Sequence, residues 1–162
     1  MELFKLHKGQ IVTLDLILAL TILTSVVFII NMQWGIMLKN IDNYETGASL
    51  EKAAQLSLLY LIGGKGYPPN WNSSNVQLVG LTDDLNVISP AKFNELMKIS
   101  NSSLSDVLGA PEFNVLINLT KTDGTTINST GLPPSNSSNS AVVESYVVFN
   151  NALSNIYVTV WK

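Results

Sequence analysis

Leu16–Leu38, LILALTILTSVVFIINMQWGIML, runs for 23 residues without a charged side chain. A hydrocarbon layer about 30 Å thick is crossed by about 20 residues of helix, so this segment is long enough to span one. Its apolar residues, Leu16, Leu18, Leu20, Leu23, Val26, Val27, Phe28, Ile29 and Ile30 among them, fall on every side of a helix. That is the pattern of a segment covered all round by lipid or protein, not of a helix with one wet face. Lys5 and Lys8 lie before it, while Lys39 after it is soon offset by Asp42 and Glu45. The positive-inside rule then favours a cytoplasmic N-terminus and an external C-terminal domain.

Outside this run the composition narrows the function classes. The chain has 162 residues, 46% of them hydrophobic and only 13% charged, which is too apolar for a disordered chain. Nine lysines, no arginine and a net charge of -3 provide no phosphate-binding face, so nucleic acid is not an expected partner. The absence of cysteine removes disulfides, thiolate catalysis and thiolate metal sites. His7 is the one histidine, which argues against a metal centre or a Ser-His-Asp triad. No cofactor is expected.

Three readings fit the N-terminal segment: a cleaved secretory signal, a single-pass anchor, or a processed helix. A secretory signal has a shorter apolar core and then a small-residue cleavage site. Here Asn31-Met32-Gln33-Trp34 follows instead. Two features before the run need a reason. Gly9 sits directly after Lys8 at the mouth of a strong helix, where glycine is unfavourable. Asp15 places a carboxylate within an apolar helix, where a charge needs a partner or water.

Lys8-Gly9-Gln10 followed by an apolar helix resembles the class III signal peptide of archaeal type IV pilin-like proteins. The resemblance implies cleavage by a prepilin peptidase between Gly9 and Gln10, leaving Gln10 as the first mature residue. It also implies a role for an acidic residue near the new N-terminus. The family places that residue at the fifth mature position; here Leu14 is fifth and Asp15 sixth. A carboxylate there could neutralise the new α-amine of its own or a neighbouring chain, and the helix dipole favours it. Alternatively, Asp15 lies hydrated at a membrane surface.

Helical pattern continues past Lys39 through Ile41, Tyr44, Ala48, Ala53, Ala54, Leu56, Leu59 and Tyr60, with no proline before Pro68. Gly63-Gly64 is expected to end the helix in a left-handed cap. A helix from Ile11 to Ile62 would be about 78 Å long. Ser89 is the expected N-cap and Pro90 the first residue of a short helix with Phe93, Leu96 and Met97 inward. A second turn is expected over Ser103–Leu108, ending at Gly109. The order Gly66, Pro68, Trp71, Gly80, Leu81, Ser89, Pro90, Lys92, Leu108, Gly109 is similar to methanogen-type pilin-like proteins. Trp71 is read as a plug of the head-domain core or as a contact between filament subunits.

From Glu112 onward the period becomes two: Phe113, Val115, Ile117 and Leu119 alternate with Asn114, Leu116, Asn118 and Thr120. Thr122-Asp123-Gly124-Thr125 marks a hairpin. Strands are also expected over Thr125–Ser129, Val142–Phe149 and Ile156–Trp161, with an exposed Pro/Ser/Asn loop over Leu132–Ser140.

The fold expected is α+β: a long N-terminal hydrophobic helix with a small antiparallel, about four-stranded sheet packed on its amphipathic part. Residues 1–9 are the leader, 10–38 the membrane or filament-core helix, 39–63 its amphipathic continuation and 64–162 an extracellular head. Sequons at Asn72, Asn101, Asn128 and Asn136 are expected in loops as possible glycan acceptors, with Asn118 disfavoured by its strand. Asp83, Asp84, Asp106 and Glu112 show no spacing that defines an acid/base pair or a metal site, and Gly63-Gly64-Lys65-Gly66 only superficially resembles a phosphate loop. A non-enzymatic subunit of a surface filament is therefore expected, major or minor. Its partners would be other pilin subunits, the prepilin peptidase and the membrane. The alternative is a membrane-anchored external binding module that does not polymerise.

Overall fold

The computed structural model describes residues 3–136 and 139–162, with side-chain surroundings from residue 13 onward except at 42 and 43. Two compact units divide the chain, Met1–Tyr44 and Glu45–Lys162. Helix α1, Leu3–Ile62, is a single helix of 60 residues. Gly35 and Gly47 lie within it with open space where a Cβ would stand, so neither marks a close approach.

In the unit Glu45–Lys162, the last turns of α1 bury Leu50, Ala53, Ala54, Ser57 and Leu61. These positions fall on one face of a 3.6-residue helix. They share a core with the inner side of a sheet, including Val115, Ile117, Leu119, Ile156, Val158 and Val160. Ser57 is the polar member of the stripe, and its hydroxyl donates to the Leu108 carbonyl at 3.2 Å.

The sheet has six strands rather than about four, and it is mixed rather than wholly antiparallel. The strands are β1 (Thr82–Asp84), β2 (Val87–Ile88), β3 (Asn114–Lys121), β4 (Thr126–Gly131), β5 (Ser140–Phe149) and β6 (Ala152–Trp161), arranged β1-β2-β5-β6-β3-β4. The four expected strands are β3 to β6. The two additional ones are three and two residues long, too short to display an alternating pattern. Strand β2 lies parallel to β5, pairing Val87 with Val148 and Ile88 with Phe149. The β3–β4 turn forms as expected: Gly124 adopts φ 85°, and the Asp123 carboxylate accepts the Thr125 amide at 2.8 Å.

Two short helices precede β3. Helix α2, Pro90–Leu96, begins with Ser89 at its N-cap and proline in its first turn, as expected. Phe93 and Leu96 are buried, but Met97 is 39% exposed, and Ile99 fills the inward position instead. Helix α3 covers Asn101–Val107, and Gly109 follows it at φ 73°.

Helix α1 does end at Ile62, though not in a left-handed glycine cap. Among described glycines, positive φ occurs at Gly66, Gly109, Gly124 and Gly131, not at Gly63 or Gly64. The terminal carbonyls of a helix need outside donors. Here the Leu81 amide donates to the Leu61 carbonyl at 2.8 Å. The Thr82 hydroxyl reaches the Ile62 carbonyl at 3.3 Å and that of Gly64 at 3.0 Å.

The segment after α1 is held by backbone contact. A Cβ on Gly80 would stand 2.2 Å from the Gly66 nitrogen and 2.4 Å from the Gly64 oxygen. Gly66 itself has φ 77°, a conformation that favours glycine. Trp71 is 3% exposed, and its indole N–H donates to the Gly80 carbonyl at 3.0 Å. Its place in the core is the plug reading. Beside it, the Lys92 ammonium bridges the Asp83 carboxylate at 3.1 Å and the Lys65 carbonyl at 3.0 Å.

Gly80→Ala is expected to destabilise the chain by about 2–3 kcal/mol, because backbone must move to admit the methyl group. Thermal unfolding of the full chain in detergent micelles checks this. The Lys92 ammonium, then the Ser89 hydroxyl, hold the Asp83 carboxyl below its ordinary value. A carboxyl lowered on folding stabilises the protein above its unfolded pKa and loses that contribution as pH falls through the folded one. Asp83→Asn should therefore cost less than about 1 kcal/mol at neutral pH, since the Asp83 side of the pair is largely exposed and the Lys92 ammonium keeps the Lys65 carbonyl. Unfolding curves of variant and parent should converge as the pH approaches about 2.

Candidate functional site

Every residue from Thr13 to Ile41 is exposed, including Leu14 and Phe28 at 70% and Trp34 at 64%. The exposed residues include leucine, isoleucine, valine, methionine and phenylalanine around the whole circumference. Isolated exposed apolar residues are ordinary; an uninterrupted sleeve of them marks a surface with a partner or a lipid environment. Among the described residues, α1 is the one helix long and apolar enough to cross a membrane, by length and composition.

Four polar side chains within this sleeve, Thr21, Thr24, Ser25 and Asn31, are turned back onto their own helix. The Thr21 hydroxyl donates to the Ile17 carbonyl at 2.7 Å and Ser25 to the Thr21 carbonyl at 2.7 Å. Thr24 reaches the Leu20 carbonyl at 2.9 Å, and the Asn31 amide donates to the Val27 carbonyl at 2.9 Å. The backbone partner four residues earlier is always within reach, so these groups need neither water nor a second helix. Sequence reading passed over this arrangement, although the positions of the hydroxyls in a helix already contain it. Asp15 and Lys39 are different: both are exposed and charged, with the uncharged Leu16–Leu38 run between them.

The remaining expected site residues are dispersed. Lys8, Gly9 and Gln10 lie on α1, and their side chains fall outside the described residues. Asn72 is exposed in a turn, where its side-chain oxygen accepts the Ser74 amide at 2.9 Å. Asn136 is exposed in the segment between β4 and β5. Asn101 is exposed too, but it opens α3 rather than lying in a loop. Asn128 is not in a loop either: it is half-buried in β4, paired with Leu119. The hairpin brings the returning strand through it. Asn118 lies in β3, where its side-chain oxygen accepts the Ser129 hydroxyl at 2.6 Å.

The acidic residues do not converge. Asp83 pairs with Lys92, and the Asp84 carboxylate accepts the Leu85 amide at 2.8 Å. Among the described residues there is no group of three or more His, Asp or Glu side chains able to hold a metal. Gly63-Gly64-Lys65 follows the C-terminus of α1, whose dipole repels an anion, whereas a phosphate loop leads into a helix N-terminus. A cleft of about 230 Å³ beside it is lined by Leu59, Tyr60, Gly63, Gly66, Leu78 and Val79, and brings no titratable group but the Tyr60 phenol.

The chemistry this surface offers is burial. A charge placed in its middle, as in Phe28→Lys, should oppose membrane insertion by about 2.5–3.5 kcal/mol. Alkali extraction of membranes should then release more of the variant than of Phe28→Leu. Comparison with known proteins adds no assignment: no family model, curated protein or solved structure matches this chain.

Proposed function

We propose that this chain is a structural subunit, major or minor, of an archaeal type IV pilus-like surface filament, made from a precursor that a prepilin peptidase cuts after Gly9. The observation that carries the reading is the apolar sleeve of α1, exposed on all sides from Thr13 to Ile41. Such a surface is stable in lipid and equally stable among copies of itself, which is what a subunit drawn from a membrane into a fibre requires. Lys8-Gly9-Gln10 supplies the processing sequence on the side of Lys5 and Lys8.

In this reading the work is assembly, without catalysis, cofactor or nucleic acid. Lipid-facing leucine and isoleucine surface is exchanged for contact between helices, and the β-rich unit is carried outside the cell. Exposed Asn72, Asn101 and Asn136 are glycan acceptors on that outer surface; half-buried Asn128 is the poorest of the four.

N-terminal sequencing of protein from its native membrane, with negative-stain microscopy of sheared surface material, tests the proposal. A mature chain beginning at Gln10 inside filaments supports it. A chain retaining Met1–Gly9 and absent from every fibre would leave an anchored binding module. Gly9→Val is expected to block processing and abolish surface filaments while leaving the precursor in the membrane.

A further inference from the structure

We infer that Asp15 of one copy pairs with Lys39 of another copy, fixing an axial offset of about 36 Å between parallel helices that rise 1.5 Å per residue. This rests on the filament reading above and specifies its geometry. From Thr13 to Ile41 the helix carries two charges, of opposite sign, one at each end of the uncharged run. In a membrane that separation matches the hydrocarbon thickness, so each charge can sit at its own water interface. In a bundle of helices neither interface remains. A carboxylate and an ammonium left singly in apolar surroundings oppose assembly, whereas together they satisfy one another.

Within one chain they cannot meet, because a straight helix holds them apart. Copies inserted through the same membrane are parallel, so contact requires a shift along the axis by the full length of the run. At that shift Leu14 of one copy lies level with Leu38 of the other, and Ile17 with Ile41, all of them exposed. Apolar surface flanks the charge pair on both sides and keeps water from it. Copies with intermediate offsets cover the remainder of each run. Thr21, Thr24, Ser25 and Asn31 already bond to their own helix and do not compete for either charge.

The test is a double-mutant cycle on filament yield, with the full chain. Asp15→Asn and Lys39→Gln should each lower yield about tenfold, since each strands the other charge, and the double variant should recover most of the loss. No loss from Lys39→Gln, with the double variant behaving as Asp15→Asn alone, would assign Asp15 to the α-amine and overturn the inference. A second measurement keeps both charges in place. The chain has no cysteine, so Leu16→Cys with Leu38→Cys introduces the sole thiols. They are about 33 Å apart in one helix, beyond a short bis-maleimide. A ladder of cross-linked copies in purified filaments is expected from the double-cysteine variant, and no cross-linked dimer from either single one. No ladder from the double variant in intact filaments, or a cross-linked dimer from Leu16→Cys alone, overturns the offset while leaving the filament reading standing. If no fibre contains the wild-type chain, both fall together.

Discussion

The governing constraint is that an apolar sleeve of helix needs a non-aqueous environment. In Leu16–Leu38 there is no face to turn toward water, and every residue of it is exposed. Water contact along such a surface is unfavourable in proportion to its area. Lipid and other helices are the two environments that answer it, and the same side chains serve both because neither demands a directional partner. Helix is also the conformation that satisfies the backbone there without outside help.

The unit Glu45–Lys162 solves the opposite problem, with a conventional core assembled from short elements. Its small side chains carry meaning: Ala53, Ala54 and Ser57 lie between Leu50 and Leu61 on the buried face of the last turns of α1. The following segment then caps that helix with Leu81 and Thr82 and locks itself through Gly66, Gly80 and Trp71. Helix α2 is tied to the same segment by Lys92, which reaches both Asp83 and the Lys65 carbonyl. These are interactions over 9 to 27 residues of sequence, so the region forms a connected set rather than a string of loops.

Much of this was legible in advance, for identifiable reasons. Hydropathy pattern is a local property, and it located α1 and β3, while Ser89-Pro90 marked the start of α2 and the hairpin signal placed β4 after its turn. The Asp123-Gly124 turn was equally local. Strands β1 and β2 escaped since Thr82–Asp84 and Val87–Ile88 repeat nothing; their pairing is imposed by β5 and by the turn at Asn86, which adopts φ 56°. The cap of α1 escaped for a related reason. Gly63-Gly64 suggested a solution within the helix end itself, while the donors come from Leu81 and Thr82 across a long loop. Met97 and Asn128 show the same limit: composition says what suits a position, and tertiary neighbours decide its burial. For the functional surface, the apolar run and its two bounding charges could be read directly, whereas the inward bonding of Thr21, Thr24, Ser25 and Asn31 required coordinates.

That inward bonding bears on reversibility. Thr21, Thr24, Ser25 and Asn31, already committed to carbonyls of their own helix, carry those hydrogen bonds with them wherever it goes. Moving from one oily surrounding to another then breaks no directional bond at those four positions and leaves none dangling. For the proposed subunit, transfer between lipid and fibre is then opposed at other positions, by shape, by the Gln33 amide and by the charges that bound the run.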